Sequence, residues 1–418
     1  MIDPKLLRDN PELIREALKH RNSTFDLDSL LNIEKQRRAS IAHAEEQRHK
    51  LKGASEQFAR AKTAGATAPG HLKKLSDDIT AHERSLQRLE ENMRQQAALI
   101  PNIPHRSVPV GDAKANRVER TSGQKPSFAF TPKTHLELAD SLGLMDFERA
   151  AKISGSHFPL FTGAGAALER ALINWMLDVQ TKEHGYTEIS PPFLVNRPSM
   201  FNTGQLPKFE EDMYRLKDDD LFLVPTAEVP LTNLHRDEVL EAAQLPVAYT
   251  GYTACFRREA GSYGKETRGL VRVHQFDKVE LVRFVKPETS YDELERLAGH
   301  AETILKRLGL HYRVVCLSTG DLSFAAAKCY DLEAWAPGLN QFLEVSSCSN
   351  FEAFQARRAN IRYRDAQTKK LAHVHTLNGS GVALARTMIC LLETHQRSDG
   401  HVTIPEPLRP YLHGQAYL

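Results

Sequence analysis

The chain has 418 residues, of which 41% are hydrophobic and 26% charged, so it is long enough for two or more domains and has the composition of an ordinary soluble protein. Its formal net charge of only +2 excludes a strong overall field towards a polyanion, and any nucleic-acid surface is expected to be a local patch. Five scattered cysteines without a C-x-x-C pair disfavour a zinc site or a disulfide framework, and without an apolar leader or a bilayer-length apolar run we expect a cytoplasmic protein with no membrane contact.

Helical periodicity dominates residues 1–110, which we expect to form an N-terminal domain. Asn10 and Pro11 predict a capped helix start, and the apolar stripe of this helix is Leu13, Ile14, Ala17 and Leu18. A long polar helix is predicted over about residues 29–64, followed by a turn at residues 65–70. The return helix carries a seam at alternating steps of three and four: Leu72, Leu75, Ile79, His82, Leu86, Leu89, Met93, Gln96 and Ile100. This pattern predicts an antiparallel coiled-coil arm, which Pro101 ends.

The outward positions of this predicted arm carry many basic side chains interleaved with Asp and Glu. Two interpretations fit: a solvated coiled coil with ion pairs, or a surface that contacts RNA phosphates through charge and shape. The basic residues are Lys35, Arg37, Arg38, Arg48, Lys50, Lys52, Arg60, Lys62, Lys73, Lys74, Arg84, Arg88 and Arg94.

Residues 111–133 are polar, contain Gly, Pro and Ser, and are predicted to link the arm to a second domain, residues 134–418. A long helix in that domain carries the stripe Leu168, Leu172, Trp175 and Val179 and ends at Gly185. A short strand stopped by Pro191 follows. On pattern alone this helix is typical of plain core.

The next segment, residues 221–234, predicts a strand and then a new helix. Thr226 is a candidate cap of that helix, and Glu228 falls in its first turn. A helix cap is the simplest structural interpretation of these two residues.

A hairpin is predicted from two strands, residues 253–256 and 270–282, joined by a polar loop, residues 260–269. Antiparallel pairing would bring Arg257 close to Arg272, and two guanidinium groups suit a phosphate chain. On the same face, Phe276 could stack a base and Glu280 could bind a small cationic substrate, while Glu259 could accept from a base amine. The alternative is a solvated hairpin with a charged outer face. Alternation predicts that Leu270, Arg272, His274, Phe276, Lys278 and Glu280 share one face.

Two later segments add oxygen and guanidinium groups. A strand at residues 342–347 would place Glu344 and Ser346 on one face and Val345 and Ser347 on the other, and its oxygens favour Mg²⁺, although a polar strand edge is the commoner interpretation. Residues 378–381 contain two glycines and predict a tight turn before a helix, from which Arg386 would project towards the same site. A helix over about residues 290–308 is also predicted.

The order Phe256-Arg257-x-Glu259, variable loop, Arg272-x-x-x-Phe276 resembles motif 2 of the class II aminoacyl-tRNA synthetases. The helix, strand and Pro192 before it resemble motif 1, and the glycine segment with Arg386 resembles motif 3. Strings such as RGLVRVHQF and EVSSCSNFEAF are similar to the seryl-tRNA synthetases in particular, over nearly the whole chain. This resemblance implies an α+β fold, with the class II antiparallel β-sheet flanked by helices and an N-terminal antiparallel coiled-coil arm.

The resemblance also implies site residues. ATP would be bound by Arg257, Arg258, Glu259, Arg272, Val273, His274, Gln275, Phe276, Glu344, Val345, Ser346, Ser347 and Arg386. Serine would be bound by Thr226, Ala227, Glu228, Arg257, Glu280 and Ser380. Mg²⁺ would be held by Glu344 and Ser347, and the catalytic residues would be Arg257 and Arg386.

The implied activity is formation of seryl-adenylate from serine and ATP, followed by transfer of serine to the 3′ end of tRNA(Ser), with tRNA(Sec) as a second candidate acceptor. The arm would bind tRNA, and the motif 1 region would form a homodimer. A serine-adenylating paralogue that charges no tRNA and an inactive RNA-binding module are the alternatives. Tyr263 stands in the hairpin loop where a small residue is expected, and nothing in the sequence explains it.

Overall fold

The computed structural model describes residues 1–61, 70–260 and 268–418, and of residues 57, 58, 60, 61 and 70–72 it describes the backbone alone. The predicted turn at residues 65–70 therefore falls almost wholly outside the described residues, and Tyr263 lies outside them. The chain divides into two compact units, residues 2–101 and residues 102–418 together with Met1.

The helices are α1 Leu6–Asp9, α2 Pro11–His20, α3 Leu27–Ala61, α4 Gly70–Ala97, α5 His135–Leu142, α6 Phe147–Ser154, α7 Gly163–Lys182, α8 Arg197–Thr203, α9 Glu228–Thr232, α10 Ser290–Arg307, α11 Phe354–Ala359 and α12 Leu384–Thr394. The strands are β1 Arg117–Ser122, β2 Thr187–Glu188, β3 Leu194–Asn196, β4 Leu221–Leu223, β5 Val239–Glu241, β6 Val247–Phe256, β7 Gln275–Val285, β8 Tyr312–Cys316, β9 Lys328–Ala336, β10 Gln341–Asn350, β11 Arg362–Arg364, β12 Leu371–His373 and β13 His375–Ala383. In the part of the chain that the structure describes, no helix is long and apolar enough to cross a bilayer.

The first unit is the predicted helical arm, in which α3 and α4 pack side by side. Asn10 caps α2 by accepting a hydrogen bond from the Leu13 backbone N–H at 3.2 Å. Leu13 itself is exposed, which corrects the predicted stripe of this helix. The predicted seam of α4 is confirmed, because its described members are buried or half-buried between mostly exposed positions: Leu75, Ile79, His82, Leu86, Leu89, Met93, Gln96 and Ile100.

Polar contacts join α3 to α4 along this seam and beside it. Arg37 pairs with Glu90 at 3.1 Å and Arg48 pairs with Glu83 at 2.5 Å. The Ser40 hydroxyl lies 2.9 Å from Nε2 of His82. Some of the basic residues of the arm therefore form the ion pairs expected of a solvated coiled coil, and others remain available for a partner.

The second unit is built on a sheet that comprises, within the described residues, eight strands in the order β1-β8-β9-β10-β13-β7-β6-β2. Neighbouring strands are antiparallel except for β2 and β6, which are parallel. The α+β class and the antiparallel sheet flanked by helices are confirmed. The predicted linker, residues 111–133, contains the edge strand β1, so this part of the segment belongs to the sheet.

Helices α7, α10 and α12 pack against the sheet and share one hydrophobic cluster with it. The predicted stripe of α7 is buried in that cluster: Leu168, Leu172, Trp175 and Val179. The helix predicted over about residues 290–308 is α10, with Asp292 and Glu293 in its first turn and Lys306 and Arg307 in its last, as the helix dipole favours.

The predicted hairpin is present, but its second strand begins later than expected. Strand β7 starts at Gln275, which pairs with Phe256, and residues 270–274 are not part of the strand. The backbone N–H of Leu270 donates to Nε2 of His135 at 3.3 Å, and that of His274 donates to the His157 carbonyl at 2.8 Å. Because these two N–H groups donate to residues outside the β6–β7 ladder, the side chains alternate between the two faces of the sheet only from Gln275 onwards.

The predicted tight turn at residues 378–381 is wrong, since these residues lie within the central strand β13. A Cβ atom on Gly379 would lie 2.2 Å from Cδ2 of Leu297, so this glycine allows α10 to pack closely on the sheet. A bulge falls between Ser380 and Val382.

The neighbouring strand β10 has a second bulge, between Glu344 and Ser346. Glu344 is opposite Glu333 and Ser347 is opposite Asp331, whereas Ser346 is opposite Leu332. Residues 333 and 331 of a regular strand share one face, so Glu344 and Ser347 lie together on that face. The predicted pairing of Glu344 with Ser346 is therefore wrong.

Candidate active site

A cleft of about 620 Å³ lies in the second unit, where several parts of the chain converge. We call it the cleft, and define it by the following lining residues: Thr226, Glu228, Arg257, Glu259, Arg272, Val273, Phe276, Lys278, Asn378, Ser380, Arg386 and residues 344–347. They come from the start of α9, the residues that follow β6, the segment 270–274, strands β7, β10 and β13, and the first turn of α12. Most of the residues that the resemblance implies thus meet in one place.

Five of the implied residues are not part of the cleft lining: Ala227, Arg258, His274, Gln275 and Glu280. Ala227 and Glu280 are fully buried behind it. The His274 ring packs edge-on against His157, and its Nδ1 lies 3.0 Å from the Arg257 carbonyl. These residues are placed to support the walls of the cleft.

Two carboxylates, a lysine, a threonine and an amide form one end of the site. We call this set the carboxylate cluster: Thr226, Glu228, Lys278, Glu280 and Asn378. The Lys278 ammonium forms an ion pair with Glu280 and donates to the Thr226 hydroxyl at 2.8 Å. That hydroxyl donates to Oε2 of Glu280 at 3.0 Å and accepts from the Glu228 backbone N–H at 3.2 Å. Thr226 is thus a partner of both carboxylate residues, and Ala227 takes the cap position of α9.

Glu228 is the second carboxylate of the cluster and borders the cleft. Its Oε2 accepts from Nδ2 of Asn378 at 2.8 Å, and its Oε1 accepts from Nε2 of Gln355 at 2.6 Å. Asn378 also donates to Oε1 of Glu280 at 3.1 Å. Burial raises the pKa of Glu228 to about 7, and the negative charge of Glu280 acts in the same direction.

The charges of the cluster do not balance when both carboxyl groups are ionised. Glu228 and Glu280 then carry two negative charges, and Lys278 supplies one positive charge. A buried excess of negative charge is costly unless a cation compensates it. The cluster therefore suits a ligand that brings one ammonium group.

Three guanidinium groups border the other parts of the cleft. Arg257 donates from Nε to the Pro225 carbonyl at 3.3 Å, and its guanidinium lies 5.1 Å from the centre of the Phe276 ring. Arg272 forms an ion pair with Glu259. The sequence prediction that Arg257 and Arg272 approach one patch agrees with their common position on the cleft lining.

Arg386 is the third guanidinium group, and backbone carbonyls hold it. Its Nε donates to the Val271 carbonyl at 3.1 Å, and its Nη1 donates to the Glu344 carbonyl at 2.9 Å. Nη1 also forms an ion pair with Oε2 of Glu344 at 3.4 Å, and the Arg386 side chain lines the cleft. Three such groups beside an aromatic ring can bind the phosphates and the base of a nucleotide.

The β10 bulge adds an oxygen-rich wall. Glu344 is exposed on it, and the Ser347 hydroxyl lies 3.1 Å from Sγ of Cys329. Asp331 lies opposite Ser347, and burial, with a smaller contribution from the Glu344 charge, raises the pKa of Asp331 well above its usual value. On the other face, the Ser346 hydroxyl donates to the Ser380 carbonyl at 2.6 Å.

Sequence reasoning missed four residues that shape the site: Lys278, Asp331, Gln355 and Asn378. Alternation placed Lys278 on the correct face, but no role was assigned to it. Gln355 comes from α11 and Asn378 from β13, and both reach Glu228 across more than a hundred residues of chain. No local spacing signals such contacts.

Family models match both units of the chain. The seryl-tRNA synthetase N-terminal domain matches residues 1–104, and the tRNA synthetase class II core domain (G, H, P, S and T) matches residues 208–395.

Similar proteins cover the full length. The chain is 53% identical to the serine–tRNA ligase of Syntrophobacter fumaroxidans over 99% of this chain and 98% of that protein. It is 54% identical to the serine–tRNA ligase of Geobacillus kaustophilus, with the same coverage. The crystal structure of seryl-tRNA synthetase from Pyrococcus horikoshii complexed with ATP is similar with a TM-score of 0.94 and 36% identity, covering 100% of this chain and 99% of that one.

Proposed function

The chain belongs to the seryl-tRNA synthetase family and ligates serine to tRNA at the expense of ATP, and we propose that the cleft is where serine is activated. The observation that supports this proposal most directly is the position of the carboxylate cluster beside three arginines in one cleft. The cluster suits the ammonium group of an amino acid, and the arginines suit a triphosphate.

For serine, we infer that Glu228 receives the α-ammonium group. Arg257 lines the same cleft and would hold the substrate carboxylate. Ser380 borders the cleft and offers its hydroxyl to the side-chain hydroxyl of serine, whereas Thr226 lines the pocket with a hydroxyl that is already engaged within the cluster. Ala227 and Glu280 act from behind the wall. A pocket that satisfies a hydroxyl rejects analogues without it, because its own polar groups would lose their partners.

For ATP, we infer that Phe276 stacks the adenine and that Glu259 accepts from its amine. Arg257 would bind the α-phosphate and Arg386 the γ-phosphate, with Arg272, Val273, Val345 and Ser346 lining the remaining surface. Arg258, His274 and Gln275 would position these residues, since the Arg257 backbone N–H donates to the His274 carbonyl at 2.9 Å. The Pyrococcus horikoshii protein crystallised with ATP supports a nucleotide in this fold.

The donor set on β10 fits Mg²⁺. A carboxylate at Glu344 and a hydroxyl at Ser347 on one face are hard oxygen donors, which Mg²⁺ combines with phosphate oxygens and water. Among the described residues no group of three or more His, Cys, Asp or Glu side chains is arranged to hold a metal. When bound, Mg²⁺ would neutralise phosphate charge.

The residues of the cleft can promote activation without a general base, because a carboxylate is already a nucleophile. The serine carboxylate attacks the α-phosphorus, the bond to the bridging oxygen breaks, and pyrophosphate leaves with its electron pair. In this proposal Arg257 would stabilise the charge that develops on the α-phosphate, and Arg386 would orient the leaving group. A ribose hydroxyl at the 3′ end of the tRNA then attacks the carbonyl carbon of the adenylate, the bond from this carbon to the phosphate oxygen breaks, and AMP leaves.

The arm supplies the second substrate in this proposal. Residues 1–110 would bind tRNA(Ser), as the family match of residues 1–104 supports, and tRNA(Sec) would be a further acceptor. The motif 1 region, α7 with β2, would form a homodimer. Because charging serves translation, we place the enzyme in the cytoplasm.

Pyrophosphate exchange tests the proposal when measured with serine, threonine, alanine and cysteine, together with charging of total tRNA. We expect serine-dependent exchange and serine charging. Exchange without charging would indicate an adenylating paralogue. No exchange with any amino acid, in protein that still binds tRNA, would indicate an inactive RNA-binding module.

A further inference from the structure

Lys278 is a buried lysine on the wall of the cleft to which the proposed binding roles give no part. Its side chain is 6% exposed, and that of its ion-pair partner Glu280 is 0% exposed. Strand β7 fixes the position of Lys278, which lies between Phe276 and Glu280 in the strand and is opposite Thr253 of β6. A buried lysine loses much of its hydration and side-chain freedom, and both losses are unfavourable for folding. An apolar side chain would fill the same space at a lower cost in free energy.

Because Lys278 pairs with only one of the two carboxylates, Glu280 and Glu228 differ in their availability to a substrate. Glu280 receives the Lys278 ammonium and the Thr226 hydroxyl on one side and the Asn378 amide on the other. Its oxygens are therefore engaged before a ligand arrives. Glu228 has only neutral amide donors, from Asn378 and Gln355, and it borders the cleft. One carboxylate is thus available to a substrate cation, and Lys278 occupies the other.

The donors of Lys278 add a second restriction. An ammonium group has three N–H donors and no acceptor, and two of them serve Thr226 and Glu280. A third can point to a ligand, because Lys278 lines the cleft. This N–H can donate to a neutral hydroxyl oxygen of the ligand, whereas an ammonium group at the same place would be repelled.

We propose that Lys278 determines specificity by restricting the amino-acid pocket to substrates that carry a single ammonium group. The inference rests on the proposed serine site. The excluded class is represented by 2,3-diaminopropionate, in which an amine replaces the hydroxyl of serine. Exclusion by a fixed like charge is a specificity device of its own, separate from the attractive contacts made with serine.

The wild-type enzyme gives the first test. Inhibition of serine-dependent pyrophosphate exchange is measured at about pH 6, where both amines of 2,3-diaminopropionate are largely protonated, with this diamine and with alanine, which differ in the group on the β-carbon. We expect 2,3-diaminopropionate to inhibit at least about tenfold more weakly than alanine. Equal or stronger inhibition by the diamine would overturn the proposal whatever the variants do. Absence of exchange with serine itself would instead refute the proposed function.

Two variants give the second test, with folding checked by thermal unfolding. In Lys278→Met, the unpaired Glu280 can receive a second ammonium, so the ratio of kcat/KM for 2,3-diaminopropionate to that for serine should rise at least about tenfold. The double variant Lys278→Met with Glu280→Gln restores the net charge of the wild-type cluster, and its ratio should return towards the wild-type value. A structural role for the lysine would alter both variants alike, and an unchanged ratio in Lys278→Met would contradict the proposal.

Discussion

Burial changes the acid–base chemistry of Glu228, a residue that borders the cleft. With a pKa of about 7, its carboxyl group is largely neutral below that pH and ionised above it, whereas an exposed glutamate is ionised throughout this range. The cause is desolvation first and the neighbouring Glu280 charge second. The proposed ammonium site should therefore form only as the pH rises through about 7.

We predict that kcat/KM for serine falls about tenfold between pH 8 and pH 6, because protonation of Glu228 removes the negative charge that attracts the substrate ammonium. The KM for ATP should change little over this range. The measurement is pyrophosphate exchange at saturating ATP and varied serine across the pH window.

The control for this pH profile is Glu228→Gln, which cannot ionise. Its kcat/KM for serine should be low and nearly independent of pH between 6 and 8. A Glu228→Gln enzyme that keeps the wild-type slope would show that another group titrates.

Arg386 carries the second residue-scale prediction, since two backbone carbonyls and the Glu344 carboxylate hold its guanidinium on the cleft lining. Arg386→Ala should raise the KM for ATP by about 10- to 150-fold, the equivalent of roughly 1.5–3 kcal/mol for charge-assisted hydrogen bonds. The KM for serine should stay close to that of the wild type. Steady-state exchange kinetics with each substrate varied in turn provide the measurement.

Arg397 offers a matched control, because it pairs with Asp399 where both side chains are about half exposed, at 45% and 47%. Arg397→Ala should leave both KM values and the stability close to those of the wild type, because an exposed ion pair contributes little. Equal losses in the two variants would refute a specific role for Arg386.

At the scale of single residues, the sequence predicted site residues correctly where a short motif carries them. Arg257, Phe276 and Thr226 could be assigned because short motifs carry them, and all three border the cleft. Gln355 and Asn378 could not be assigned, because their contact with Glu228 exists only after distant segments pack together.

Among the elements, the bulge in β10 decides which side chains face the same way. It places Ser347 on the face of Glu344 and leaves Ser346 bonded to the Ser380 carbonyl at 2.6 Å. We therefore predict that Ser347→Ala raises the Mg²⁺ concentration for half-maximal exchange by about fivefold, near 1 kcal/mol, without changing the KM for serine.

Ser346→Ala is the companion variant on the opposite face. It should weaken serine binding through Ser380 and leave the Mg²⁺ dependence unchanged. Titrations of Mg²⁺ and of serine in both variants separate the two effects, and an altered Mg²⁺ dependence in Ser346→Ala would contradict the face assignment.

The loop that enters β7 is anchored by a buried pair, His135 and Glu393. Nε2 of His135 accepts from the Leu270 N–H, so Nδ1 carries the proton and donates to Glu393 at 3.1 Å. Glu393 also accepts from the Gly338 backbone N–H at 2.8 Å. This chain of contacts holds the segment that supplies Arg272 to the cleft.

Gly269 lies beside that anchor, with a φ of +61° and with Nε2 of His135 only 2.3 Å from the position of an added Cβ. Gly269→Ala should destabilise the protein and also raise the KM for ATP, because His135 must move away from Leu270. Gly143 has the same backbone conformation, at a φ of +62°, with nothing within 4 Å of the added Cβ. Gly143→Ala should therefore cost only about 1–2 kcal/mol of unfolding free energy, for the left-handed backbone alone.

Chemical denaturation and ATP kinetics of both alanine variants make this comparison. Equal losses of stability, with no change in the KM for ATP, would show that the contact with His135 has no influence on the cleft.

The observed element boundaries depend on contacts that the hydrophobic pattern of the sequence does not record. Alternation predicted a strand from residue 270, but the backbone donors of Leu270 and His274 were already engaged by His135 and by the His157 carbonyl. The bulges in β10 and β13 each add one residue to the strand, and the alternation of side chains in the sequence does not show where this residue lies. Long helices such as α4 and α10 were predicted well, because their periodicity extends over several turns.

For the whole molecule, the two units suggest a division of labour between the two steps of the reaction. Residues 1–101 contain 18 Lys and Arg against 15 Asp and Glu, a net charge of +3 in a chain whose total is +2. The arm is therefore slightly more basic than the whole chain, which agrees with the expectation of a local basic patch. Some of its basic side chains are engaged in the ion pairs between α3 and α4. A surface for RNA must come from basic residues outside those pairs.

Lys73, Lys74 and Arg84 are exposed on α4 and form no ion pair with the described residues, so we predict that replacing all three by Gln raises the KM for tRNA. The dependence of charging on salt should also become shallower, by about 0.7–0.9 in the log–log slope for each phosphate that the arm no longer neutralises. Pyrophosphate exchange should stay at the wild-type rate, since the cleft is untouched. Replacing the exposed acids Asp77 and Asp78 by Asn on the same helix is the control, and it should not weaken charging. If that control weakens charging as much as the triple variant, the cause is a loss of helix stability; if neither changes charging at any salt concentration, tRNA binds elsewhere.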